Sequence, residues 1–332
     1  METVDHFKSK FKYYKLNKPK PSLSEVISLV NISNHTDKVN SIFTSPDMFY
    51  SFFFRERSLR NTKEWELYTF HNHPGLFLLK NPFTALGQRY WIRKCLEKYP
   101  RKPNKLNIDI EVLLPDWWAE CFDDGACNKQ LQKKLRWTTL GYHHNWDTKV
   151  YTDENRSQFP EELAELSDVV AQYVGYTGFK AEAAIVNYYH MDSTLSAHTD
   201  HSELNLEAPL FSFSFGQSAI FLIGGKDKSV EPSAILLDSG DVMIMSKEAR
   251  LCYHAVPKIL PAHTSPWADK EDLNKISYSE ATFKYISDKK QLVSEMNKNV
   301  DEAVWSPFQD YILESRINMN VRQVLNERQT RF

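Results

Sequence analysis

In Phe211-Ser212-Phe213-Ser214-Phe215 an aromatic ring falls on every second residue, the period of a half-buried strand. Similar segments follow one another from Gly178 onward. Residues 184–189 are strand-like, and 219–223 continue past the Gly216-Gln217-Ser218 turn. Residues 234–237 and 242–245 flank a turn at Asp238-Ser239-Gly240-Asp241. Cys252 to Val256 reads as a strand or strand end, and a last strand carries Arg316 to Val321. Strands of this length at this spacing predict an antiparallel sandwich or jelly roll.

The first half is mixed. A short apolar run, Gly75-Leu76-Phe77-Leu78-Leu79, is bounded by Pro74 and Pro82 and predicts a buried strand. A helix is expected over 84–99, with Thr84 as N-cap and Leu86, Tyr90, Ile92, Leu96 and Tyr99 as a partial apolar face. Its other face carries Arg89, Arg93, Lys94 and Lys98, continued by Arg101, Lys102 and Lys105: either a solvated face or a phosphate-contacting one. A second helix is expected after Pro160, with Leu163, Leu166, Val169, Val170, Tyr173 and Val174 buried and Gly175 at its end. Residues 23–31 suit a short helix, and 262–307 read as a charged, loop-rich insertion with a helix near 287–304. The first 22 residues hold six lysines and read as a basic surface segment or mobile arm rather than a leader peptide.

The formal net charge is −2, so no global basic field draws nucleic acid, and any such partner must be gripped locally. Cys95, Cys121, Cys127 and Cys252 form no CxxC pair, which suits free thiols in a reducing compartment. No apolar run is long enough for a transmembrane helix.

The chemistry lies in His198-Thr199-Asp200, answered by His254. Residues i and i+2 of a strand face the same side, so one segment presents an imidazole and a carboxylate to one point. Two histidines and one carboxylate on one face of a metal are the ligands of a non-haem iron(II) centre, and zinc can use the same set. Alone, an HxD triplet is weak; His71-Asn72-His73, which has no comparable third ligand, is a decoy of similar strength. Arg316, Asn318, Asn320 and Arg322 share one strand face, and arginine grips carboxylates bidentately, which favours iron with an anionic co-substrate.

The ordered set Asn187-x-Tyr189, His198-x-Asp200, His254 and Arg316-x-Asn318-x-Asn320-x-Arg322 resembles the AlkB-like family of Fe(II)/2-oxoglutarate dioxygenases. The stretches 135–143, 210–225 and 316–325 resemble its AlkB homologue 1 subgroup. The resemblance implies an α+β fold: a double-stranded β-helix (jelly roll) catalytic core with N-terminal helices and a nucleotide-recognition lid. Residues 1–70 would be an N-terminal extension, 71–176 the helical support and lid, and 177–332 the core with its insertion at 262–307.

The resemblance also assigns residues. His198, Asp200 and His254 match the iron ligands. Asn187, Tyr188, Tyr189, Arg316, Asn318, Asn320 and Arg322 match the 2-oxoglutarate site; Asn320 stands where the family usually has threonine. Trp137, Tyr142, His143, His144, Asn145, Ser202 and Arg250 are the implied substrate contacts. From the residues themselves, Trp146 is a further stacking candidate, core packing being the alternative for it and for Trp137, and Lys133, Lys134 and Arg136 are candidate phosphate contacts. Ser202 replaces an aspartate that helps read the base in the bacterial member, so substrate choice does not transfer from it.

The implied cofactors are Fe(II), 2-oxoglutarate and O2. The implied reaction is oxidative demethylation or oxidation of methylated bases, releasing succinate, CO2 and formaldehyde. Implied substrates are N1-methyladenine in tRNA, 5-methylcytosine in tRNA and N6-methyladenine in single-stranded or unpaired DNA, with tRNA favoured. A monomer in the nucleus, mitochondrion or cytoplasm is expected. Two rivals stay open: a protein hydroxylase or demethylase with the same core, and a non-catalytic nucleic-acid-binding module.

Overall fold

The computed structural model describes residues 4–42, 58–109, 111, 114–122, 127–271, 273–276 and 283–332. Among the described residues, two antiparallel sheets face each other. The major sheet has nine strands, in the order β1 (Val39–Ile42), β2 (Glu66–Phe70), β3 (His73–Lys80), β11 (Val242–Met245), β8 (Leu210–Gly216), β13 (Ser315–Arg322), β6 (Ala183–His190), β5 (Trp137–Gly141) and β4 (Lys105–Leu106). The minor sheet has four, β10 (Ser233–Leu237), β9 (Ser218–Ile223), β12 (His254–Leu260) and β7 (Leu195–His198). This is the expected jelly roll.

The turns after β8 and β10 are crossings between sheets rather than hairpins, and both need glycine. Gly216 has φ +85° and a Cβ there would meet the Ser315 carbonyl at 2.5 Å; Gly240 has φ +90° and would meet Asn81 Oδ1 at 1.9 Å.

Helices cover the outer face of the major sheet: α2 (Ala85–Arg93), α3 (Glu161–Tyr173), α4 (Lys289–Asn297) and α5 (Glu302–Ile312). β8 is therefore buried on both faces, not half-buried. Phe211, Phe213 and Phe215 pack under the helices, each worth about 1.5–3 kcal/mol of burial. Ser212 and Ser214 face the space between the sheets, opposite Asn320 and Asn318 of β13. The same parity runs through β13: Ile317, Met319 and Val321 join the helical core, while Arg316, Asn318, Asn320 and Arg322 turn inward.

The helix expected over 84–99 forms as α2, capped by Thr84 Oγ1 accepting from the Gly87 amide at 3.1 Å, and passes into a π-helical turn at Lys94–Lys98. Most of its basic face is taken up by protein partners, while Lys102 and Lys105 beyond the helix stay exposed. Arg89 is buried, donating to Trp267 O, Asn299 O and Glu302. Arg93 pairs with Glu97, Lys94 with Glu162 and Glu295, Arg101 with Asp116, and Lys102 with Asp109.

Three further expectations change. The first residues form α1 (His6–Lys15), whose Phe7, Phe11 and Tyr14 lie at helical spacing and pack on Ile220, Leu222 and Ala255 of the minor sheet. They are a docked helix, not a mobile arm. The short helix near 23–31 is a 3-10 segment at Leu29–His35. In the described part of 262–307, one expected helix is two, and Trp267 and Trp305 bury themselves in the helical layer. Among the described residues no helix is long and apolar enough to cross a membrane.

Candidate active site

β12 runs beside β7, with His254 directly opposite His198. Their ring centroids are 4.3 Å apart. Asp200 follows two residues past the end of β7. One ligand atom from each of His198, Asp200 and His254 lies within 4.8 Å of the others.

Hydrogen bonds decide which ring nitrogens are free. His198 Nδ1 lies 2.9 Å from the Ser196 carbonyl, and His254 Nδ1 lies 3.1 Å from that of Cys252. A carbonyl only accepts, so each ring donates from Nδ1 and keeps the Nε2 lone pair for a cation. Burial, with His198 alongside, holds the His254 imidazole down to about 4, a neutral donor at neutral pH.

The Asp200 carboxylate is divided. Oδ1 lies 3.0 Å from Arg322 Nη2, while Oδ2 lies 3.7 Å from His254 Nε2. Burial favours the protonated acid, but Arg322, the two histidines and Arg250 outweigh it, and the group lies well below the usual carboxylate range. Two imidazole nitrogens and one carboxylate oxygen converging on one point suit iron(II).

Beside this cluster is a cavity between the sheets, lined by Tyr189, Ser212, Arg316, Asn318 and Asn320 among apolar side chains. Arg316 is buried at its floor. It donates to Ser214 Oγ at 2.6 Å, Gln217 O at 3.1 Å and Leu237 O at 3.4 Å. Among the described residues it makes no ion pair, and burial lowers its pKa to about 10, so it stays charged at neutral pH. Arg322 Nη1 is buried without a hydrogen-bond partner among the described residues. Buried guanidinium N–H groups left unused are costly, and one anionic ligand would answer them. The donor set and these spare cationic donors fit iron(II) with a dicarboxylate.

Asn318 Nδ2 donates to Ser212 Oγ and Phe213 O, which fixes its side chain between β13 and β8. Asn187 shares its register row with Asn318 and with Trp137. Tyr188 does not belong with them. Neighbouring strand residues point to opposite faces, and Tyr188 turns into the helical core, donating to the Cys95 carbonyl at 2.6 Å.

The expected substrate contacts divide. His144 Nε2 and Ser202 Oγ are 3.0 Å apart, which ties the 142–146 segment to the Asp200 loop. His144 meets Trp146 edge-on at 4.7 Å, and Trp146 lies 5.2 Å from Trp137. These aromatics form one wall. Burial, with Arg322 nearby, holds His144 down to about 4, so the wall is neutral.

Tyr142 faces elsewhere. Its hydroxyl donates to Asp153 and accepts from Arg156, in a separate cleft with Phe159 and Glu182. His143 is buried against Thr139 Oγ1 at 2.8 Å, and Asn145 builds its own turn by accepting from the Asp147 and Thr148 amides. Arg250 is enclosed, donating to Ala208 O, Asp200 O and Glu203, so it has no free edge for a base. Sequence reasoning missed Glu203 and Tyr151 as members of this region. Lys133, Lys134 and Arg136 are exposed, but Lys134 pairs with Glu111 and Arg136 donates to Ser193 Oγ. His71 and His73 are structural, bonded to Asp37 O and Ser233 Oγ.

Comparison with known proteins agrees with this geometry. The family model described as the 2OG-Fe(II) oxygenase superfamily matches residues 75–322. The "Nucleic acid dioxygenase ALKBH1" of Mus musculus is 38% identical over 319 residues, covering 92% of this chain and 75% of the relative. The "tRNA demethylase abh1" of Schizosaccharomyces pombe is 38% identical over 219 residues, covering 60% of this chain and 72% of the relative. The "DNA N(6)-methyladenine demethylase ALKBH1A" of Arabidopsis thaliana is 30% identical over 288 residues, covering 76% of each. The chain belongs to the 2OG-Fe(II) oxygenase superfamily, dioxygenases that work with Fe(II), 2-oxoglutarate and O2.

Proposed function

We propose that this chain is a nucleic-acid dioxygenase that oxidises methyl groups on unpaired bases, with methylated tRNA as the favoured substrate and unpaired DNA as the second. His198 Nε2, His254 Nε2 and Asp200 Oδ2 hold the metal. Arg316 grips the distal carboxylate of 2-oxoglutarate, with Tyr189, Asn318 and Asn320 shaping the cavity around it. Arg322, already on Asp200, has a donor left for the other carboxylate end.

Iron(II) with O2 and 2-oxoglutarate supplies the oxidising power, and succinate and CO2 are the co-products. A methyl oxidised on a base nitrogen gives a hydroxymethyl group, which leaves as formaldehyde. The protein's part is placement. The sheets exclude water from the co-substrate, and the His144–Trp146–Trp137 wall offers a stacking surface to a base that is unpaired or flipped.

The observation that carries this reading is the buried Arg316, without an ion pair among the described residues, beside the His–Asp–His cluster. The relatives' names for tRNA and DNA demethylases support the substrate class. Mass spectrometry of nucleosides from a tRNA pool, treated with the full chain, iron(II) and 2-oxoglutarate, tests it. Loss of N1-methyladenine or gain of an oxidised cytosine is expected. No change in any methylated nucleoside, in tRNA or single-stranded DNA, overturns the substrate assignment and leaves protein side chains as the alternative.

A further inference from the structure

Glu203, three residues past Asp200, is buried, its side chain 1% exposed. Burying a charged carboxylate is costly unless cations or hydrogen-bond donors compensate it, and here two cations do. Arg250 Nη2 donates to Oε2 at 3.0 Å, and Arg322 Nε lies 2.9 Å from Oε1, an ion pair without hydrogen-bond alignment. Both guanidinium side chains are themselves buried, 2% and 3% exposed. The Tyr151 hydroxyl closes the cluster at 3.5 Å from Oε1.

Each arginine then reaches Asp200 with another nitrogen. Arg322 Nη2 lies 3.0 Å from Oδ1, and Arg250 Nη1 donates to the Asp200 carbonyl at 2.6 Å. The chain of contacts thus runs from Glu203 through two arginines to the side chain and the backbone of one residue. Two consequences follow. The geometry ties down one Asp200 oxygen and leaves Oδ2 toward His254. The charge of Glu203 also balances one of two cations that otherwise bear on Asp200 and the metal.

We infer that Glu203 is a positioning residue: it holds Arg322 and Arg250 so that Asp200 presents Oδ2, and only Oδ2, to the metal. This rests on the metal-centre reading above. Groups that orient a metal ligand from outside the first contacts change metal affinity about 10- to 100-fold when removed.

The test is a Co(II) titration of the metal-free full chain by calorimetry, with a thermal melt of each protein. Wild type that binds Co(II) stoichiometrically, and His198→Ala that does not, establish the centre independently of Glu203; failure there is failure of the metal-centre reading. Glu203→Gln keeps shape and removes charge. Its Co(II) affinity is expected to fall about 10- to 100-fold. In an Arg322→Gln background the same change is expected to do less, because the arm that reaches the Asp200 carboxylate is gone and only the Arg250 arm to its backbone remains. A lower melting temperature with unchanged Co(II) affinity makes Glu203 merely structural and overturns the inference. So does an equal loss in both backgrounds. Should Glu203→Gln not fold, Glu203→Asp keeps the charge but withdraws it by one methylene. The same titration then applies: weaker Co(II) binding supports the inference, and unchanged binding overturns it.

Discussion

Replacing Arg316 with lysine keeps a positive charge at the cavity floor and removes the planar fork. In the wild-type chain the guanidinium is fixed by Ser214 Oγ, Gln217 O and Leu237 O, which leaves donors to spare for a carboxylate. Lysine can meet some of these acceptors or the ligand, but not both in one plane. A hydrogen bond to a charged group is worth about 1.5–3 kcal/mol, so losing one of a bidentate pair weakens 2-oxoglutarate binding about 10- to 150-fold. The assay is the 2-oxoglutarate dependence of succinate release, paired with calorimetric binding of 2-oxoglutarate to the Co(II)-loaded protein. The half-saturating concentration should rise by that factor while Co(II) affinity stays unchanged. Folded Arg316→Lys protein that binds 2-oxoglutarate within about twofold of wild type would refute the assignment of the floor guanidinium as its grip.

Other perturbations separate the wall, the helical layer and the buried histidine. Trp146→Ala removes the exposed ring of the wall and should weaken a methylated oligonucleotide by about 1–3 kcal/mol without changing 2-oxoglutarate affinity, as read by fluorescence anisotropy and calorimetry. Arg89→Met strands the Trp267 and Asn299 carbonyls and should cost about 1–3 kcal/mol in a denaturant melt; oligonucleotide affinity should not move, and a loss there would restore the basic run as a phosphate contact. His143 is held down to about 4 by burial, so between about pH 6.5 and pH 4 the unfolded chain takes up a proton that the folded one refuses. Its contribution therefore falls as pH drops through that window, and His143→Gln should flatten the decline of melting temperature there; an unchanged slope counts against it.

The sequence was most legible where chemistry follows strand parity. Arg316, Asn318, Asn320 and Arg322 are alternate residues of one strand, and the fold had only to decide which face was inward. The same parity rule excludes Tyr188, because a neighbour of Tyr189 on a strand cannot share its pocket. Phe211 to Phe215 read as half-buried because a polar alternate face normally meets water; here Ser212 and Ser214 meet β13 side chains and the other sheet instead. The basic run 89–105 misled for a related reason. Charge is visible in one stretch of sequence, while its counter-ions Glu162, Glu295 and Glu302 are far along the chain. Glu203 stayed hidden because its meaning depends on Arg250 and Arg322, which only the fold brings together. Arg250, matched by resemblance to a base contact, is consumed by that same cluster.

The central claim is that one site joins iron(II), 2-oxoglutarate and a methylated base. Its most direct measurement is succinate and formaldehyde release by the full chain on a tRNA stem-loop carrying N1-methyladenine, against the same stem-loop unmethylated. Formaldehyde is expected with the methylated RNA alone, one per succinate released above the unmethylated background, and neither product is expected from His198→Ala. Succinate release that is indifferent to the methyl group, or no formaldehyde from any methylated RNA or DNA by protein that binds Co(II) and 2-oxoglutarate, would contradict the account.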